Sequence, residues 1–293
     1  PGIDNSGPFL AMNPFSSRCC QHNHGMGWPY YIQHLVMATP DNGAAAVVYS
    51  ACTATLTVGD GRQVTVTESG NYPFEEQVTF TVNTDAEVSF PLYLRIPAWC
   101  DGASVLVNGR RAAGECTPGK YVKLAREWHD GDRVVLNLPM TLSQRTWQVN
   151  QNGVTVDYGP LTLSLKIDEE YRRVDSRATA IRDSKWQAGA DVEKWPSYEI
   201  HAASPWNYAL VADAPITVRR RAWPADDNPF TLESVPLEFS AKGRLGPSWT
   251  VDEYGLTGVL PGPWEERDGE ERDIELVPMG AARLRISVFP PAE

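Results

Sequence analysis

The chain has 293 residues, a formal charge of −11 and 42% hydrophobic residues, enough for a real core and for two domains of the usual ~100–200 residues. The negative balance and the lack of any extended Lys/Arg cluster argue against a nucleic-acid partner and suit a neutral or polar soluble substrate. No run of ~18 apolar residues exists to span a membrane, no basic segment leads into an apolar one as in a signal peptide, and five cysteines do not make a disulfide scaffold.

The chain starts at Pro1-Gly2-Ile3-Asp4-Asn5, a loop-like segment without an initiator methionine, which reads as a piece of a longer or processed protein. Residues 1–28 read mostly as loop. Within them, Ser16 to His24 gathers two adjacent thiols, two histidines and an arginine. Neighbouring cysteines rarely close on each other, because a disulfide wants Cα atoms ~5.5 Å apart and adjacent ones sit at ~3.8 Å. Cys19 and Cys20 are therefore expected to be simply buried thiols or metal ligands. Cys19, Cys20, His22 and His24 make four ligands by count, but such crowding strains a tetrahedron, and Cys52, Cys100 and Cys116 each stand alone. A metal here would find only half of its ligands in this chain.

Trp28 to Ala38 is the best helix candidate, with Pro29 in its first turn, Pro40 past its end and apolar residues nearly all round. From Ala44 onward the texture is β. Strands are expected at 44–49, 51–58, 63–68, 77–82, 88–96, 104–107, 121–124 and 133–138, punctuated by Gly59-Asp60-Gly61, Asn108-Gly109 and Asp130-Gly131-Asp132. A second β unit follows, with strands at 153–158, 161–167, 206–211, 216–219, 237–242 and 281–289. Between them 168–204 reads as an irregular excursion anchored by Trp186, Trp195 and Tyr198, and 261–273 as an acidic loop whose Glu265, Glu266, Glu270 and Glu271 are solvated. Trp99, Trp128 and Trp147 lie in strand blocks and are expected in the core rather than as sugar platforms. The pattern predicts a mainly β chain of two consecutive sandwich or jelly-roll domains, 41–150 and 151–293, after a short helical segment at 1–40.

Cys19-Cys20-Gln21-His22-Asn23 resembles the Cys-Cys-x-x-Asn signature of the β-L-arabinofuranosidases of glycoside hydrolase family 127. The resemblance extends to Tyr72-Pro73-Phe74, to Leu94-Arg95-Ile96-Pro97-Ala98-Trp99 with Val107-Asn108-Gly109, to Gly119-Lys120-Tyr121-Val122 leading to Arg126-Glu127-Trp128, and to the closing run Ile274 to Ile286. Where the family often has an arginine three residues after the asparagine this chain has Met26, and Gln21-His22 replaces a common Pro-Pro, which marks a divergent branch. The resemblance implies that residues 1–40 are the last loop and helix of an (α/α)6 barrel catalytic domain. It also implies a zinc-dependent retaining glycosidase in which Cys19 is both nucleophile and zinc ligand and Cys20 is a second ligand. The third cysteine, the glutamate ligand and the acid/base glutamate would then precede Pro1, leaving the chain alone inactive. His22 and His24 are weaker candidates for contact with the carbohydrate substrate. The expected partners are that carbohydrate and either the helical domain or a second copy of the chain. The competing reading is a non-catalytic carbohydrate-binding or bracing β module with a vestigial cysteine pair.

Overall fold

The computed structural model describes residues 10–11, 18–174, 193–194, 196–246, 248–252, 256–262 and 269–292. The chain is mainly β and divides into two compact units, one spanning Asn23–Thr141 and the other built chiefly on Leu142–Glu293. Its first elements are β1 (Leu10–Ala11) and α1 (Arg18–Gln33). No helix among the described residues is long and apolar enough to cross a membrane.

The helix departs from the expected one at both ends. It begins at Arg18 rather than near Pro29, so Pro29 lies inside it, and the segment after it, β2 (Val36–Ala38), is a strand. Gly25, Gly27 and Pro29 are poor helix formers, which is why propensity alone reads this stretch as a loop.

The first unit continues with β3 (Ala44–Ala46), β4 (Cys52–Val58), β5 (Arg62–Ser69), β6 (Gln77–Asn83) and β7 (Val88–Arg95). It closes with β8 (Ser104–Val107), β9 (Arg110–Arg111), β10 (Tyr121–Trp128) and β11 (Asp132–Asn137). These strands form two sheets, one ordered β10-β7-β3-β2 and the other β4-β5-β6-β11-β8-β9. Period-two alternation sends Val64 and Val66, Val78, Phe80 and Val82, and Phe90, Leu92 and Leu94 into one shared core, which makes the pair a sandwich. Trp128 is fully buried there, and its indole N–H donates to the Phe90 carbonyl at 2.9 Å. Trp99 is partly buried against the same core. The Asn108-Gly109 turn has φ of 50° and 77°, the left-handed pair that a two-residue hairpin between β8 and β9 requires. Asp132 is a buried turn carboxylate: it accepts the His129 backbone N–H at 3.0 Å and the Asn108 amide at 2.7 Å.

The second unit contains β12 (Leu142–Trp147), β13 (Gly153–Tyr158), β14 (Leu161–Leu165), β15 (Glu169–Val174) and β16 (Ser197–Ala202). Then come β17 (Tyr208–Val211), β18 (Thr217–Arg220), β19 (Leu237–Leu245), β20 (Glu271–Pro278) and β21 (Pro291–Ala292). The large sheet runs β12-β13-β14-β20-β19-β17-β21, with β18 pairing β19, and a small one runs β1-β16-β15. Val156, Leu163, Leu210, Phe239, Leu276 and Phe289 are buried in this unit.

Three expectations fail here. Residues 168–204 are not irregular throughout, because β15 and β16 pair in register from Glu169↔Ala202 to Val174↔Ser197. Residues 281–289 are not a strand; the strand is β20, which starts at Glu271 inside the expected acidic loop. Both β15 and the front of β20 carry charges rather than alternating apolar residues, with ion pairs along one strand (Arg172–Glu170) and across two (Lys242–Asp273) that hydrophobic patterning does not show. Trp147 is 40% exposed rather than in the core, donating to Thr155 Oγ1 at 3.3 Å and lying under the Arg145 guanidinium. Trp186, Trp195, Glu265 and Glu266 lie outside the described residues.

The buried indole bond gives a test of the first core. Trp128→Phe keeps a ring but strands the Phe90 carbonyl, and it should lower stability by about 2 kcal/mol with an unchanged denaturant slope. Urea unfolding of the two proteins measures this, and a shift within ~0.5 kcal/mol would show that the bond contributes nothing.

Candidate functional site

Cys19, Cys20 and His22 lie in the first turns of α1, with helical backbone; their side chains are outside the described part of the structure. A helix sets successive positions about 100° apart round its axis, so positions 19 and 23 share one stripe and positions 20 and 24 another. His24 is exposed, and its Nε2 accepts the Trp28 indole N–H at 3.2 Å across one turn. The Trp28 ring makes T-shaped contacts with His24 at 5.6 Å and with Tyr31 at 5.8 Å. This half of the helix is exposed with its apolar residues: Met26, Trp28, Tyr30 and Ile32 are all more than half exposed.

Near the C-terminal end of α1, β5 buries an acid. Glu68 has the inward parity of Val64 and Val66, is 3% exposed and faces Cys52 across the β4–β5 ladder. Its carboxyl takes a backbone N–H from Ser50, but Oε2 has no hydrogen-bond partner. Burial pushes this carboxyl up to about 8, against which the Ser50 bond acts only in part. Phenols gather round it. Burial, and secondarily the Glu68 charge, raise Tyr31 and Tyr49, and burial pushes Tyr72 up to about 12. Tyr49 donates to the Arg95 carbonyl and meets the Tyr72 ring edge-on at 5.7 Å. Sequence reading missed Glu68, although the run Val64-Thr65-Val66-Thr67-Glu68 places it on the inward parity.

The remaining thiols do not assemble a metal site. Cys52, Cys100 and Cys116 are free. Cys100 is fully buried with its Sγ 3.7 Å from the Pro139 carbonyl, and burial pushes it up to about 11. Among the described residues the one cluster of three possible ligands is Glu87, Glu127 and His129, all exposed, where a 3.0 Å His129–Glu87 pair accounts for the proximity.

Residues 44–140 match the family model of the β-L-arabinofuranosidase GH127 middle domain, a range that coincides with β3 through the end of the first sandwich. This part of the chain is similar to a GH127 middle domain. Solved structures share the fold. A GH127 β-L-arabinofuranosidase from Geobacillus stearothermophilus superposes with a TM-score of 0.58 at 21% identity, over 88% of this chain and 35% of that one. A glycoside hydrolase gives 0.54 at 21% identity over 86% and 36%, and a further GH127 β-arabinofuranosidase gives 0.54 at 16% identity over 86% and 35%. The chain thus spans about a third of the length of the structures that it matches. No curated protein matches its sequence. Within the matched range, Tyr72 lies beside the buried acid and Arg95 beside its phenols: Arg95 donates to the Val47 carbonyl at 2.5 Å and its own carbonyl receives Tyr49.

The sign of the Glu68 effect is fixed by its raised value. The folded chain keeps this proton at a pH where the unfolded chain has lost it. The contribution is therefore whole below the ordinary carboxylate range and declines, by up to ~1.4 kcal/mol per pH unit, as pH rises toward about 8. Glu68→Gln should flatten that decline and make the protein about 2 kcal/mol more stable than wild type at pH 8. Chemical unfolding from pH 5 to 8 measures it; parallel curves for the two proteins would contradict the assignment.

Proposed function

We propose that this chain is the C-terminal portion of a zinc-dependent retaining glycoside hydrolase acting on β-L-arabinofuranosides, with Cys19 as the nucleophile. The observation that carries the reading is the GH127 middle domain at 44–140 placed directly behind a helix that opens on Cys19-Cys20. The exposed apolar residues of α1 support it, because so many of them on one short helix suit packing partners such as the helices of a catalytic domain.

The donor chemistry fits the metal in part. Cys19 and Cys20 would supply two soft thiol ligands of the type zinc prefers, and the other described thiols are free and apart from any ligand cluster. When bound, zinc supplies a cation that holds a thiol as thiolate at neutral pH, where a free one is only a few per cent ionised. The Cys19 thiolate attacks the anomeric carbon as the glycosidic C–O bond breaks and the aglycone leaves as an alcohol, taking a proton from an acid outside this chain; water then attacks the same carbon, the C–S bond breaks, and the sugar leaves with retained configuration. Cys20 would hold the metal together with Cys19 and so tie the first turn of the helix to it. His24, held through Trp28, presents a ring that would meet a sugar hydroxyl rather than the reacting carbon.

We further propose that the chain by itself does not turn over, since general acid assistance worth roughly 10²–10⁴-fold has no assigned residue in it. Incubating it with an aryl β-L-arabinofuranoside, with and without zinc, should release no phenol above background, and the intact parent protein should. In that parent Cys19→Ala should cut kcat by at least about 10³-fold, and Cys20→Ser should lower the bound zinc measured by elemental analysis. Turnover by the chain alone that disappears in Cys19→Ala would overturn the two-part reading, and a parent indifferent to Cys19→Ala would overturn the nucleophile.

A further inference from the structure

The second unit carries a cleft of about 210 Å3 that nothing above uses. Its floor is apolar: Ile167, Ile200 and Ile286 are each less than a tenth exposed. One wall is the half-buried indole of Trp206, held in T-shaped contact with the buried Trp249 at 5.2 Å between ring centroids. Another is formed by Val251 and Thr257, which face each other across an antiparallel bridge. The walls are tied together, since the Asn207 amide donates to the Gly246 carbonyl at 2.7 Å and to the Trp249 carbonyl at 3.1 Å.

The polar groups sit at the rim. Arg285 is fixed through its Nε, which donates to the Ala282 carbonyl at 2.8 Å, and its two terminal nitrogens bond no described residue. His201 is oriented by Glu199, whose Oε2 lies 3.0 Å from its Nε2. The Trp206 indole N–H likewise has no partner among the described residues. An apolar floor, one aromatic face and a few convergent donors are what a small polar ligand with a C–H face needs. Sites for drug-sized molecules run to ~300–1,000 Å3, so this one is sized for a single ring. The Glu199 carboxylate beside His201 and the overall charge of −11 oppose an anion.

We propose that this cleft binds one neutral sugar ring of an oligosaccharide, with its C–H face on Trp206 and its hydroxyls on Arg285 and His201. This goes beyond the glycosidase reading, because it asks for binding and no bond cleavage. The test is a saturation-transfer NMR titration of the purified chain with L-arabinose, D-galactose, D-glucose and D-galacturonate at millimolar concentrations. We expect saturable binding of at least one neutral sugar. It should weaken at least tenfold in Trp206→Ala and at least fivefold in Arg285→Met, while Trp147→Ala leaves it unchanged. Arg285 is exposed, so that variant should keep the wild-type melting temperature and remain decisive even if Trp206→Ala unfolds. Absence of saturable binding by every neutral sugar, binding indifferent to Arg285→Met, or galacturonate binding tenfold tighter than any neutral sugar would each overturn the proposal.

Discussion

The placement of α1 depends on one short ladder of alanines. Strand β2, which follows the helix directly, pairs only with β3, and β3 is fastened on its other side to β7 by the parallel register Ala44↔Leu92 to Ala46↔Leu94. The three alanines are buried, and just before them Gly43 runs so close to β7 that a Cβ there would meet the Pro91 carbonyl oxygen at 2.2 Å. Small side chains are what allow a third strand to reach this edge. The segment after α1 thus joins the sandwich through a crowded backbone contact, which fixes where the C-terminal part of the helix leaves off.

Two buried glutamates show opposite answers to the same cost. Glu238 in β19 is 3% exposed but surrounded by cations, with Lys166 at 3.1 Å, Arg221 at 3.5 Å and Arg219 also paired to it. Burial of its charge is offset by charge-assisted bonds. Glu68 has the same exposure but only a backbone N–H and a ring of phenols, so it meets the desolvation cost by keeping its proton. The first arrangement locks two strands together. The second leaves a neutral, adjustable contact close to the helix.

What was legible in the sequence follows from which forces leave a pattern. Strands β4 to β8 and β11 bury alternate apolar residues and could be read almost to the residue, as could the Asn108-Gly109 and Asp130-Gly131 turns. Strand β15 and the front of β20 carry charges in place of alternating apolar residues, and a charged strand looks like a loop until its neighbour is known. The helix start was hidden by Gly25, Gly27 and Pro29, each unfavourable in isolation. In the candidate site, Cys19 and Cys20 were visible as a motif, whereas the Trp28 bond that occupies His24 is a matter of helical spacing. The Trp206 cleft was invisible, because its walls come from segments scattered between Ile167 and Ile286.

The hairpin turn at Asn108-Gly109 bears on how the molecule ages. An asparagine followed by glycine is the pair most prone to lose its side-chain ammonia, since the unhindered glycine nitrogen can attack the amide carbon when the side chain swings over. Asn108 is not free to swing: its Nδ2 donates to Asp132 at 2.7 Å and its Oδ1 accepts the Arg133 backbone N–H at 2.8 Å. The bonds that set the turn therefore also protect it chemically. Were ammonia lost, an aspartate at this position would set a second carboxylate against the buried Asp132 in place of a donor, and the hairpin would be pushed open by its own new charge.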